Sequence, residues 1–114
     1  MVIEEQQLDK YRNDLEFIRL TAQQFIRDCE RMGFQVEIDV QQLTGILHLQ
    51  MCIAPFLKQW CKEENARLTS LLYHIDIPEH HYPERGPCSD LPGLTALIVK
   101  RELIKVILKK LYSK

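Results

Sequence analysis

The stretch from Leu91 to Tyr112 constrains the fold more than any other. It follows Asp90 and reads LPGLTALIVKRELIKVILKKLY. Set out at 100° per residue, Leu97, Ile104, Leu108 and Leu111 share one tight helical face, and Leu103, Val106 and Ile107 carry that face well around the cylinder. Arg101, Lys105 and Lys109 form a basic stripe on the narrow remainder. A helix this apolar either sits at the centre of a bundle or keeps one side for a partner. Ser89 or Asp90 serves as its N-cap, and Pro92 is tolerated in its first turn.

The other segments also read as helices. Across residues 4–32, Leu8, Tyr11, Leu15, Ile18, Ala22, Phe25, Cys29 and Met32 recur at alternating steps of about 3 and 4, a heptad seam. Glu4 and Glu5 at its start and Arg27 and Arg31 near its end suit the helix dipole, and Gly33 supplies a C-cap able to take positive φ. Phe17, Leu20 and Ile26 lie off the seam, so this helix is expected to meet more than one neighbour. Residues 34–38 (FQVEI) alternate apolar and polar, but no second strand offers to pair with them, and they read as an extended connector.

Asp39, with Gln42 three residues on, has the pattern of a capping box and is expected to open a second helix. Pro55 then divides the apolar pattern into pieces at 40–54 and 55–74, continuous with a kink or joined by a short turn. The polar run 62–65 is a second place for a break. Residues 76–89 have no period, and Pro78, Pro83, Gly86 and Pro87 forbid a long regular element there. A connection of that length is expected to be functional or mobile. The fold class that follows is all-α: one domain over residues 1–114, a compact bundle of about four helices, the second kinked or broken near Pro55, with an irregular Pro/His-rich loop before the last.

Composition enters at three points. A hydrophobic fraction of 46% and a charged fraction of 27% belong to a folded globular chain rather than a disordered one. The net charge of −1 is unevenly placed. Residues 1–39 carry nine acidic and five basic side chains, while residues 100–114 carry six basic ones, ending in Lys114, against Glu102 alone. The basic end is therefore expected to face the acidic first helix, of the same chain or of a second copy, in preference to nucleic acid. Finally, Cys29, Cys52, Cys61 and Cys88 form no CxxC pair, and the opening MVIEEQQLDK is acidic without the apolar core of a secretion signal. Free thiols in a reducing cytoplasm are the expectation, with Cys29 and Cys61 as small buried hydrophobes. The most apolar run, residues 43–57, is too short to span a bilayer, so no membrane role is expected.

Candidate chemistry is sparse. His48 and Cys52 stand at i, i+4, a spacing at which two side chains can share a metal, and His80 and His81 lie in the irregular loop with His74 and Cys88 beside it. His48-x3-Cys52 resembles part of the zinc motif of zinc-binding anti-sigma factors, but the further CxxC-type pair of that motif is absent and no function is carried over. Arg67 and His74 are two turns apart on one helical face, separated by LTSLLY. An all-helical chain with Arg and His so spaced resembles the active-site signature of the HEPN ribonucleases. That resemblance would place Arg67 and His74 at the 2′-hydroxyl and phosphate of RNA; Leu68 stands where that family has a polar residue.

The stripe Arg101, Lys105 and Lys109 is a candidate track for nucleic-acid phosphates, with a solvated face as the alternative. No nucleophile elbow, P-loop or dinucleotide fingerprint occurs, and no reaction can be named. The leading expectation is a non-enzymatic interaction or self-association module, a homodimer meeting its partner through Leu103, Val106, Ile107 and Leu111. It needs no cofactor. A zinc-binding protein, a ribonuclease using Arg67 and His74, and a nucleic-acid binder are the alternatives.

Overall fold

The computed structural model describes residues 5–112, and the expected helix-start residue Glu4 and the terminal Lys114 lie outside them. Five α-helices follow in order: α1 (Glu5–Arg12), α2 (Leu15–Arg31), α3 (Ile46–Glu63), α4 (Asn65–Ile75) and α5 (Leu91–Tyr112). Single 3-10 turns stand at Val40–Gln42, Glu79–His81 and Pro87–Ser89. No strand occurs among the described residues. No helix among them is long and apolar enough to cross a membrane.

The bundle is built around α5, which packs on α2, α3 and α4. Its bounds are those expected from its pattern. Asp90 is its cap: the carboxylate accepts the Gly93 N–H at 3.0 Å, and the Asp90 carbonyl accepts from Leu94. Leu94, Ile98 and Val99 enter the main core with Phe25, Leu49, Ile53 and Leu72. Leu103, Val106 and Ile107 form a second cluster with Leu8 and Phe17. At about 1.5–3 kcal/mol per fully buried side chain, those three residues are a large share of what holds α1 and α2 on α5.

The seam over residues 4–32 is not one helix. It breaks at Asn13–Asp14, because the Asp14 carboxylate accepts the amides of Glu16 and Phe17 at 3.0 and 3.4 Å and restarts the chain as α2. The break changes which residues face inward. Leu15, a seam position, is 37% exposed, while the off-seam Phe17 is buried and stacks on Tyr11. α2 does meet several neighbours, as those off-seam residues imply. It ends at Gly33, whose φ of +85° and N–H bond to the Glu30 carbonyl close the helix, with Phe34 N–H reaching back to Cys29.

Residues 34–38 are the extended connector the alternation implies, with Phe34 and Val36 buried and Gln35 and Glu37 exposed. Phe34 stacks on Trp60 at 3.9 Å between ring centres. Asp39 opens only the turn Val40–Gln42, and its side chain caps nothing. The α-helix starts at Ile46 instead, because Leu43 is extended and drawn into the core at 2% exposure. α3 then passes through Pro55 as one element, and the chain breaks at Glu64, within the polar run 62–65.

The irregular segment after α4 is anchored. Asp76 caps α4 in the left-handed region (φ +74°), Ile77 N–H bonds the Leu72 carbonyl, and the Ile77 side chain is buried beside it. Cys88 is bonded to Cys61 across a Cα separation of 5.8 Å. This corrects the expectation of four free thiols: Cys29 and Cys52 alone are free. The loop's return path carries Cys88 onto the end of α3, a proximity that a spacing of 27 residues does not reveal. The free thiols expected together with a reducing cytoplasm are thus only half realised.

Two outcomes test this architecture. Asp14→Ala should lower stability by about 1 kcal/mol through loss of the cap, read as a reduced midpoint in urea. Denatured but unreduced protein should titrate as two thiols rather than four.

Candidate functional site

The basic stripe of α5 meets the acidic half of the chain, as its charge placement implies. Lys100 Nζ lies 2.9 Å from Glu5, Arg101 2.8 Å from Asp76, Lys105 2.8 Å from Asp28 and Lys110 3.5 Å from Glu16. Lys109 donates to Gln24 Oε1 at 2.7 Å. Arg101, Lys105 and Lys109 therefore each have a partner inside the chain.

One part of this network is buried. Asp28 on α2 is 1% exposed and Glu102 on α5 is 0% exposed. Gln24 Nε2 donates to Asp28 Oδ1 at 3.0 Å, Lys105 Nζ donates to Oδ2 at 2.8 Å, and His74 Nε2 of α4 stands 3.5 Å from Oδ1. Lys105 Nζ is also 3.1 Å from Glu102 Oε1, but neither Glu102 oxygen has a partner in hydrogen-bond geometry when the group is treated as a carboxylate. A protonated Glu102 resolves this, because its O–H can donate to Asp28. Burial, then the hydrogen bond and the negative charge of Asp28, push Glu102 up to about 8. Burial would also raise Asp28, but hydrogen bonds from Glu102 and Lys105, the Lys105 charge and the Gln24 amide outweigh it and hold Asp28 low. The pair shares one proton, and with Lys105 it is close to neutral.

Chemically this is a clamp joining α2, α4 and α5. Both carboxylates are sealed from solvent, so no substrate reaches them. Sequence reading missed it because Glu102 looked like a lone acid in a basic tail and Asp28 like one of many acids on the first helix. The available signal was that each lies next to an apolar-face residue, Asp28 beside Cys29 of the seam and Glu102 beside Leu103 of the last helix.

The remaining sequence candidates do not converge. Arg67 donates to the Gly33 carbonyl at 3.3 Å and lies over the Phe34 ring, while His74 faces Asp28. His74 lines a shallow cleft with Thr69, Ser70 and Tyr73 that Arg67 does not line. His48 Nδ1 accepts the Thr44 N–H at 3.1 Å and so helps close the start of α3, one turn before Cys52. His80 and His81 meet edge to face on an exposed turn. Among the described residues, no three His, Cys, Asp or Glu side chains are grouped to hold a metal ion. Of the expected interface, Leu103, Val106 and Ile107 are buried within the chain, and Leu111 is 46% exposed.

Two of the most exposed apolar side chains lie elsewhere. Leu47 and Met51, one turn apart on α3, are 70% and 72% exposed. They border a trough of about 740 Å³ walled by Ala54 and Pro55 of α3 and by Leu91 and Pro92 of α5. Pro55 has no N–H, so the Met51 carbonyl lacks its helical donor at the edge of this trough. Among the described residues, Lys58 is the one charged side chain lining it.

The clamp makes a pH prediction. Glu102 is raised in the folded state, so folding takes up a proton and stability falls as pH rises from the ordinary carboxylate range toward about 8. Asp28 is lowered, so its contribution is lost as pH falls through the acid range. Glu102→Gln should flatten the decline on the alkaline side, measured as urea midpoints at pH 5, 7 and 8.5. The wild type should lose up to roughly 1.4 kcal/mol per pH unit within that window, and the variant little.

Comparison of the chain with protein-family models, with curated proteins and with solved structures gives no match in any of the three.

Proposed function

We propose that this protein is a helical interaction module that pairs with a second copy of itself through the outer face of α3. The observation that carries the reading is the exposure of Leu47 and Met51 beside a trough of small and apolar residues. A contact across a two-fold axis needs a projection and a recess on the same surface. Leu47 and Met51 are the projection; the trough of Ala54, Pro55, Leu91 and Pro92 is the recess.

Two copies of α3 crossing at Ala54 and Pro55 bring their smallest outward residues to the closest approach. An antiparallel crossing there sets Lys58 of each copy level with Met51 of the other. The patch is smaller than the 20–30 residues a side of a standard interface, roughly 800 Å² per partner, so the dimer is weak and exchanging.

Self-association is therefore expected to be concentration-dependent. Sedimentation velocity up to about 0.5 mM should resolve a monomer–dimer equilibrium with Kd near 0.1 mM. The double variant Leu47→Glu, Met51→Glu should be monomeric throughout while keeping the wild-type helical spectrum, since both side chains are mostly in solvent. A wild type that stays monomeric, or a double variant that dimerises equally well, would overturn the reading.

A further inference from the structure

A separate cleft of about 460 Å³ opens on the other side of α5, between its middle turns and the segment that follows α4. Leu97, Arg101 and Ile104 contribute one face of α5, and Ile77, Pro78 and His81 the opposite wall. The volume falls within the roughly 300–1,000 Å³ of small-molecule sites. Its composition is two-sided. Ile77, Pro78, Leu97 and Ile104 make an apolar body, while Arg101, Lys100 and His81 bring cationic or protonatable groups to the same space.

Arg101 is held there in an incomplete arrangement. One terminal nitrogen donates to Asp76 Oδ2 at 2.8 Å, whereas Nε is shielded from water with no hydrogen-bond partner. A guanidinium is a fork that a carboxylate can take at two points, and the two-point contact is the stronger. Asp76 takes one only. Its side chain is 74% exposed, so the pair is of the solvent-screened kind that contributes little, and nothing buried keeps the carboxylate in place. Asp76 is held by its backbone in the left-handed cap of α4. Lys100 is likewise engaged by an exposed acid, Glu5.

We infer that this cleft is a binding site for a small carboxylate with a short apolar tail, whose headgroup displaces the Asp76 side chain and takes Arg101 at both terminal nitrogens, the tail lying on Ile77, Leu97 and Ile104. Asp76 then acts as an internal stand-in for the ligand's carboxylate. It keeps the arginine neutralised when the site is empty and competes with the ligand for it. The site is independent of the α3 face and of self-association.

The probe is octanoate, titrated into isotopically labelled full-length protein and followed by amide chemical shifts. Saturable shifts centred on Ile77, His81, Leu97 and Ile104 are expected. Arg101→Gln should weaken binding about tenfold or more, the scale of a charge-assisted contact. Asp76→Asn should tighten it several-fold, because asparagine tolerates the left-handed cap and removes the competing charge. Acetate, which lacks the tail, and octanol, which lacks the charge, should each bind far more weakly than octanoate.

Absence of saturable shifts, or binding equally strong for acetate or octanol, would overturn the assignment. So would an Asp76→Asn variant that binds no better than wild type, a result that stands even if Arg101→Gln fails to fold. Octyl phosphate tests the headgroup: tighter binding than octanoate would overturn the assignment to a carboxylate.

Discussion

The buried meeting of Asp28 and Glu102 around Lys105 is the interaction on which the bundle's geometry depends. Two carboxylates sealed between helices would repel if both were charged, and the cost of leaving either unpaired in the interior is large. Lys105 offsets one charge and a proton removes the other. Once that is arranged, α2 and α5 are fixed in register, because the Gln24–Asp28 and Lys105–Lys109 rows meet at one setting of the two helices. His74 brings α4 to the same point. Apolar contacts are more numerous but less particular: a slide of one helical turn would replace one leucine contact by another, whereas the polar row tolerates no such slide.

The same register explains why most of the positive charge of α5 is engaged within the fold. Lys100, Lys105 and Lys110 point at Glu5, Asp28 and Glu16, all from the first two helices, and Arg101 reaches Asp76. The acidic and basic ends are complements within one fold. Two further features lie on the surface: the Leu47–Met51 ridge and its trough on α3, and the cleft in which Arg101 is only half engaged. These two features lie on different parts of α5, one at its first turn and one at its middle, so the central helix supports both without coupling them through shared residues.

Much of the fold was legible from residue order. The bounds of α5, the positive-φ stop at Gly33, the alternating connector at residues 34–38 and a polar break near residue 64 all follow from local chemistry, since capping, chirality and periodicity act over a few residues. The errors share a cause. A heptad seam ran unbroken through Asn13 and Asp14, but the Asp14 carboxylate captured the next two amides and split the helix. Asp39 and Gln42 had a capping pattern, yet Leu43 was worth more in the core than in a helix. In both places a competing partner, side chain or core, outweighed a pattern that was locally sound. The functional candidates suffered more. His48, Arg67 and His74 each found a structural partner nearby, and the polar groups that do assemble, Asp28 with Glu102 and Lys105, come from helices about 75 residues apart in the chain.

Sequence alone determined the helical class, the dominance of the last helix and the pairing of a basic end with an acidic beginning, because periodicity and charge are carried by each residue wherever it goes. Tertiary structure alone decided that the wide apolar arc of α5 is mostly covered from within, by Leu8 and Phe17, and that α3 instead offers the exposed ridge. It also decided that Cys61 meets Cys88 and that burial raises the proton affinity of Glu102. Each of those depends on which surfaces come to face one another, and burial, disulfide reach and proton affinity are properties of that juxtaposition rather than of any residue by itself.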